Sequence, residues 1–321
     1  MSGSPLRLGL IGAGRWGKVY IKTIERLDGF SLVRLASSNP ESQALVHKVC
    51  HISEDWQDIT AAELDGVIIA APPAIHAEMT CAAIAASKPV LVEKPLTLDI
   101  AEAEALLDYA EQQRAIVHVD HIHLYHPAFR ILKNVGKDLG PVRAIHGLAG
   151  GWGPFRKDTS VLWDRGSHDV AMCIDLLGQG PESVSARIDE TRSTADGFGE
   201  AISVSLNFPC GAQANLEFSN LLKKKKRSFT VEYEKETLIY DDESNVTLSR
   251  HLKTGEVESI DVLGAQPLDQ VLIDFGTAIK KISPTLMGLD SVCKLLRFLM
   301  TVKIFLELSI DFAAKKWAII L

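Results

Sequence analysis

One of the most apolar stretches of the chain ends in charge. Val90-Leu91-Val92-Glu93-Lys94-Pro95-Leu96 reads as a buried strand closed by a carboxylate, an ammonium and a proline. Charges at the end of a buried strand cost free energy unless something there uses them. An ammonium in that place can hydrogen-bond a reacting hydroxyl and help move its proton, and Glu93 stands next to it to orient it. A second candidate is Asp164 with His168, spaced i, i+4, which share a face if a helix begins by Asp164. Histidine can take a hydroxyl proton near neutral pH, with the aspartate orienting or relaying. The plainer alternative is an N-cap aspartate and a core histidine. Trp163 and Arg165 flank the pair and would line a pocket.

His118, His121, His123 and His126 raise the question of a metal. In an extended segment His121 and His123 would share one face, with Asp120 on the other. No cysteine or further histidine motif completes a ligand set. The expectation is therefore no metal, with His121 and His123 facing substrate.

These groups need elements to carry them. In the first 120 residues, apolar runs at Leu8–Ile11, Leu32–Ala36, Val67–Ala71, Val90–Val92 and Ile116–Val119 alternate with helical stretches such as Ile75–Ala86 and Ile100–Tyr109. Short apolar strands alternating with helices predict a parallel sheet covered on both faces. Thr97 is the expected N-cap of the later helix, with Asp99 and Glu102 near its positive end. Lys94 then lies at the carboxyl edge of the sheet, where ligands bind in open α/β folds.

Leu8-Gly9-Leu10-Ile11-Gly12-Ala13-Gly14-Arg15-Trp16-Gly17 runs from a strand into G-x-G-x-x-G at the mouth of a helix. Glycines there permit a tight turn, close approach of a pyrophosphate, and helix–strand packing. Gly12, Gly14, Arg15, Trp16 and Gly17 are the expected dinucleotide contacts, although Trp16 could equally pack the helix. About twenty residues on, Ser37 and Ser38 stand where an acid usually binds the ribose of NAD. The missing acid favours NADP, but no arginine follows to clamp a 2′-phosphate, so NAD or NADP stays open. Ala71 and Pro72 end another strand before His76, where cofactor contact and simple helix-start packing compete.

Beyond about residue 140 the period changes to two. Ile202, Val204, Leu206 and Phe208 alternate with polar residues, and so do Ala214, Leu216 and Phe218, then Phe229, Val231 and Tyr233. This predicts long antiparallel strands with one apolar face, helices near Ser167–Leu177 and at the C-terminus, and a solvated charge run at Lys223–Arg227. The apolar segment Val292–Phe312 is broken by charges at helical spacing and reads as a core helix rather than a membrane span.

At 46% hydrophobic and 23% charged residues, 321 residues can bury two domains, and disorder is excluded as the main state. The net charge of −7 weighs against nucleic acid as a partner. The five cysteines are odd in number and lack CxxC spacing, as for reduced thiols in the cytoplasm, and the N-terminus lacks the features of a signal peptide.

Taken together, Gly12–Gly17, Ala71-Pro72-Pro73-Ala74-Ile75-His76, Glu93-Lys94-Pro95 and Asp164-Arg165-Gly166-Ser167-His168 occur in the order of the glucose–fructose oxidoreductase/inositol dehydrogenase (GFO/IDH/MocA) family, which the chain resembles over almost its whole length. The resemblance implies a Rossmann domain, placed at residues 1–121, and an α/β domain with a large, mainly antiparallel, open-faced sheet at 122–321. It implies NAD(P)-dependent redox chemistry on a hydroxyl of a sugar, cyclitol or small polyol, with Lys94, His168 and Asp164 catalytic and Glu93, Lys94 and His76 reaching the cofactor. It also implies a cis Lys94–Pro95 bond and a homodimer or homotetramer formed through the sheet. The chain departs from the family pattern at Ala171, where an aspartate is common and Asp169 stands nearer, and at Leu124 in place of an arginine. The alternative is a silent NAD(P)-binding regulator of the same fold.

Overall fold

The computed structural model describes residues 4–97, 99–155 and 160–281. They form two units, residues 4–125 with 265–281, and residues 126–264. The apolar C-terminal segment expected as a core helix lies outside the described residues.

The first unit is built on strands β1 (Leu6–Ile11), β2 (Phe30–Ala36), β3 (His51–Ser53), β4 (Gly66–Ile69), β5 (Val90–Glu93) and β6 (Val117–Asp120). All pair in parallel, in the order β3-β2-β1-β4-β5-β6. The order reverses beside β1, which opens a crevice at the carboxyl ends of the strands. The near-continuous apolar strands follow from burial on both faces: β4 and β5 are buried throughout. Helices α1 (Arg15–Arg26), α2 (Gln57–Ala61), α3 (His76–Ala85) and α4 (Ile100–Gln112) connect them.

Two local expectations change. Helix α4 is capped by Asp99, whose carboxylate accepts from the Glu102 amide at 2.9 Å. Thr97 instead accepts from the Asp99 amide at 3.1 Å, two residues before the cap. The three-residue strand β3 is too short to leave a sequence period.

A helix from beyond residue 264 completes this unit's core. Leu268, Val271, Leu272 and Phe275 are buried with Leu8, Leu10, Tyr20, Ile21 and Leu91. Arg26 grips Asp269 with two bonds, of 2.6 and 2.5 Å.

The second unit carries α5 (Pro127–Gly136), β7 (Val142–Trp152), α6 (Ser167–Leu177), β8 (Ser183–Thr194), β9 (Gly197–Asn207), β10 (Gln213–Ser219), β11 (Leu221–Tyr233), β12 (Thr237–Asp241), β13 (Leu248–His251) and β14 (Val257–Ser259). The eight strands run β14-β13-β12-β11-β7-β10-β9-β8, antiparallel except for the parallel pair β7 and β10. Alternate residues of β9 and β10, Ile202, Val204, Leu206, Ala214, Leu216 and Phe218, are buried on one face. The helix from residue 267, α7 (Pro267–Lys281), ends the described chain. Among the described residues no helix is long and apolar enough to cross a membrane.

Candidate active site

The expected cofactor residues of the first unit lie from the carboxyl end of a strand to the first turn of the helix that follows. After β1, Gly12 takes φ of +99°, and a Cβ there would lie 2.5 Å from the Ala70 carbonyl oxygen. A Cβ on Gly17 would lie 2.1 Å from the Gly12 oxygen, so both positions require glycine. Gly14, the N-cap of α1, is different: a Cβ would meet nothing within 4 Å. The space above the helix start is open, no side chain caps its amides, and its first turn holds no acid. Arg15, in that turn, is unfavourable to the helix dipole unless an anion shares the site. Open space, uncapped amides and a local positive charge fit a pyrophosphate, so the residues present fit an NAD(P) cofactor.

At the end of β2, Ser37 accepts from the Asn39 amide at 3.1 Å and from the Ser42 hydroxyl at 2.8 Å, while Ser38 is exposed. After β4, Pro72 is exposed and His76 is buried. The His76 ring lies between two carbonyl oxygens, Ala71 at 2.7 Å from Nε2 and Pro95 at 2.8 Å from Nδ1. Both ring nitrogens are therefore engaged by the backbone, and His76 joins the segment after β4 to the segment after β5. Burial lowers its pKa, against the pull of its backbone bonds to Pro95, Ala71 and Glu93.

Lys94 follows β5 and is partly buried, and its peptide bond to Pro95 is cis. Glu93 pairs in register with Asp120, the last residue of β6. Both carboxyl groups are buried, at 6% and 1% exposure, whereas most Asp and Glu side chains are solvated. The Tyr20 hydroxyl, from α1, donates to Asp120 Oδ2 at 2.5 Å. Burial, then the charge of Asp120, raises the Glu93 carboxyl well above its ordinary range, against Lys94. Burial lifts Asp120 to about 6, against its Tyr20 bond and Lys94. His121 is pushed down to about 4, by burial and then by Lys94. Tyr20 carried no signal in the sequence, and Asp120 was weighed there only against a metal, although it ends its strand as Glu93 ends the preceding one.

The histidine segment is not extended. Residues Ile122–Tyr125 form a 3-10 turn, with the Leu124 amide bonded to the His121 carbonyl, so His121 and His123 do not share the face expected of a strand. His118 is buried on β6, edge-on to Phe275 at 5.5 Å, and is pushed down to about 4 by burial. His126, in the second unit, caps α5 and stacks on Tyr240 at 4.9 Å. Among the described residues no group of three His, Cys, Asp or Glu side chains could hold a metal.

In the second unit Leu162–Gly166 forms a π-turn that runs directly into α6. Asp164, Trp163 and Arg165 lie on the π-turn, while His168 lies on the α-helix, so the pair is not set on one regular α-helix as the i, i+4 spacing presumed. Such turns recur at functional sites. Arg165 donates to the Gly153 carbonyl at 2.8 Å. Asp169 is fully buried and forms an ion pair with Arg227. Burial raises the Asp169 pKa and Arg227 opposes it. The charge run within β11 is thus solvated only in part: Lys223–Lys226 are exposed, but Arg227 points inward to a carboxylate from α6.

Comparison with known proteins places this geometry. The model of an oxidoreductase family with an NAD-binding Rossmann fold (GFO/IDH/MocA) matches residues 6–121, and the GFO/IDH/MocA C-terminal domain matches residues 136–239. The UDP-N-acetylglucosamine 3-dehydrogenase of Acidithiobacillus ferrooxidans is 26% identical over 286 residues, 85% of this chain and 88% of that protein. The inositol 2-dehydrogenase of Rhizobium meliloti is 28% identical over 222 residues, 65% of this chain and 67% of its own length. A crystal structure of a protein classed as an oxidoreductase from Magnetospirillum magnetotacticum superposes with a TM-score of 0.87 at 40% identity, covering 93% of this chain and all of that one. The cis Lys94–Pro95 bond, the glycine loop and the two matched domains agree, and the chain belongs to the GFO/IDH/MocA family of NAD-binding oxidoreductases.

Proposed function

We propose that the chain transfers a hydride between a bound nicotinamide and a carbon bearing a hydroxyl or carbonyl in a sugar, cyclitol or related small polyol. The observation that carries this is Lys94, placed after β5 beside the buried carboxyl groups of Glu93 and Asp120, on the sheet edge that also bears the open glycine loop. The names of the two dehydrogenases above support a sugar or cyclitol substrate.

When bound, the nicotinamide supplies the carbon that accepts or gives the hydride. Gly12, Gly14 and Gly17 leave room for the pyrophosphate, and the uncapped start of α1 with Arg15 receives its charge. Trp16, Ser37, Ser38, Ala71 and Pro72 line the same edge, and His76 fixes two of its loops. Lys94 hydrogen-bonds the substrate oxygen and polarises it. His168 takes the hydroxyl proton in oxidation and returns it in reduction, with Asp164 orienting it. His121, His123, Trp163 and Arg165 are assigned to substrate. The end of β2 bears no acid, which favours NADP over NAD.

Cofactor binding is assigned to residues up to 121, and substrate recognition and self-association to those that follow. A homodimer or homotetramer through the eight-stranded sheet is supported by the exposed Trp152 of β7, at 58%. A cytoplasmic setting is supported by free thiols at Cys50, Cys81, Cys173 and Cys210. A silent regulator would have no use for an ammonium flanked by two buried carboxyl groups.

Cofactor binding by fluorescence, followed by turnover on a panel of sugars and cyclitols, tests the reading. Lys94→Ala should abolish turnover and leave cofactor affinity largely intact; undiminished turnover in that variant would sink the assignment.

A further inference from the structure

Two carboxyl groups share the space beside Lys94. Glu93 and Asp120 pair in register on neighbouring parallel strands, so their side chains leave the same face of the sheet, with the strands about 5 Å apart. Both are buried. Tyr20 reaches them from α1 and donates to Asp120, and Tyr125 acts on Tyr20 from the 3-10 turn. Lys94 and His121, each one residue beyond its strand, complete the surroundings. Lys94 is the positive charge that acts on both carboxyl groups and on His121.

Charge balance decides the state of this cluster. Two buried carboxylates beside one ammonium would leave a net negative charge in a low dielectric, and a buried group avoids that cost by holding a proton. Each carboxyl group also has one oxygen with no hydrogen-bond partner among the described residues, Glu93 Oε1 and Asp120 Oδ1. A carboxylate pair left with a free oxygen on each member is what one retained proton would serve.

We propose that Glu93 and Asp120 hold one proton between them and act as a positioning pair for Lys94, with Asp120 ionised and held by Tyr20, and Glu93 carried as the neutral acid. The pair then offers Lys94 a single balancing charge, which fixes the ammonium without neutralising the site twice over. This rests on the assignment of Lys94 to the chemistry. The direction of both carboxyl shifts agrees with it: burial and the Asp120 charge keep the proton on Glu93, while the Tyr20 bond favours the charged form of Asp120.

The test follows the side-chain carboxyl carbons of the full chain, 13C-labelled, by NMR from roughly pH 3 to 9. In the wild type one carboxyl group should titrate well above the ordinary range. In Asp120→Asn the Glu93 signal should move to lower pH, and in Tyr20→Phe the Asp120 signal should move to higher pH. Wild-type carboxyl groups that both ionise below about pH 4.5, or a Glu93 titration unmoved by Asp120→Asn, would overturn the pair. The wild-type titration needs no variant to fold. With a sugar or cyclitol that is turned over, Asp120→Asn should lower kcat by about 10- to 100-fold and shift the acid limb of its pH profile downward, with cofactor affinity unchanged; an unshifted limb counts against the pair. Lys94→Ala separates the two claims, since full turnover without Lys94 defeats the catalytic reading while the carboxyl titration judges the pair alone.

Discussion

The ring of His76 reaches the carbonyl oxygen of Pro95 at 2.8 Å, one residue beyond Lys94, while its other nitrogen lies 2.7 Å from the Ala71 carbonyl. One buried side chain thus joins the segment after β4 to the segment after β5. A neutral imidazole has a single N–H, so one of these contacts gains a full hydrogen bond only when the ring is protonated.

His76→Ala removes the join and leaves the carbonyls of the half-buried Ala71 and Pro95 without it. Chemical denaturation should show a loss of about 1–3 kcal/mol, and cofactor affinity should fall because the loops bearing Ala71 and Lys94 are no longer tied. Unchanged affinity in a folded variant would show that the loops hold their places without the ring.

Gly14→Ala and Gly17→Ala should separate binding from folding. At Gly17 the added methyl meets the Gly12 carbonyl, so the melting temperature and cofactor binding should both fall. At Gly14 it meets open space, so the melting temperature should hold while cofactor affinity drops. Equal affinities for Gly14→Ala and wild type would place the pyrophosphate elsewhere.

The buried His118 gives a pH dependence with a definite sign. Its folded pKa, about 4, lies below the ordinary histidine value, so the unfolded chain binds the proton first as pH falls. The stability of the neutral, buried ring is fully present above about pH 6.5 and is lost as pH falls toward 4. Between pH 7 and 5, His118→Leu should gain about 2 kcal/mol relative to the wild type, as measured by urea denaturation at the two pH values. A constant gap would refute the depressed pKa.

Asp169 and Arg227 should behave as a unit. Asp169→Asn or Arg227→Met alone leaves a buried charge without its counter-ion and should cost about 3–5 kcal/mol. The double variant should recover much of that loss, which a double-mutant cycle would measure. Additive losses would mean that the ion pair contributes little.

The elements were legible where the chain repeats a pattern. Alternation in Ile202–Phe208 and Ala214–Phe218 located β9 and β10, and the apolar runs with the glycine loop located the strands of the first unit. The residues joined only by folding were not legible. Asp120 is one polar residue among histidines in sequence, and its meaning comes from the register that sets it beside Glu93. The inward turn of Arg227 was masked by four preceding lysines, which read as one solvated run. His121 and His123 were misplaced relative to each other because no local signal distinguishes a 3-10 turn from a strand there. The π-turn before α6 likewise has no period of its own, and it altered the geometry inferred for Asp164 and His168.

The return of α7 to the first unit also bears on how the chain is made. Leu268, Val271, Leu272 and Phe275 fill a core whose other members are synthesised before residue 126. At about 5–20 residues per second, a ribosome takes roughly 8 to 31 seconds to travel from Tyr125 to Lys281. For that interval the nascent nucleotide-binding unit has an open apolar flank around Leu8, Tyr20 and Leu91, so its final closure waits for α7 to emerge, and chaperone access falls in that window.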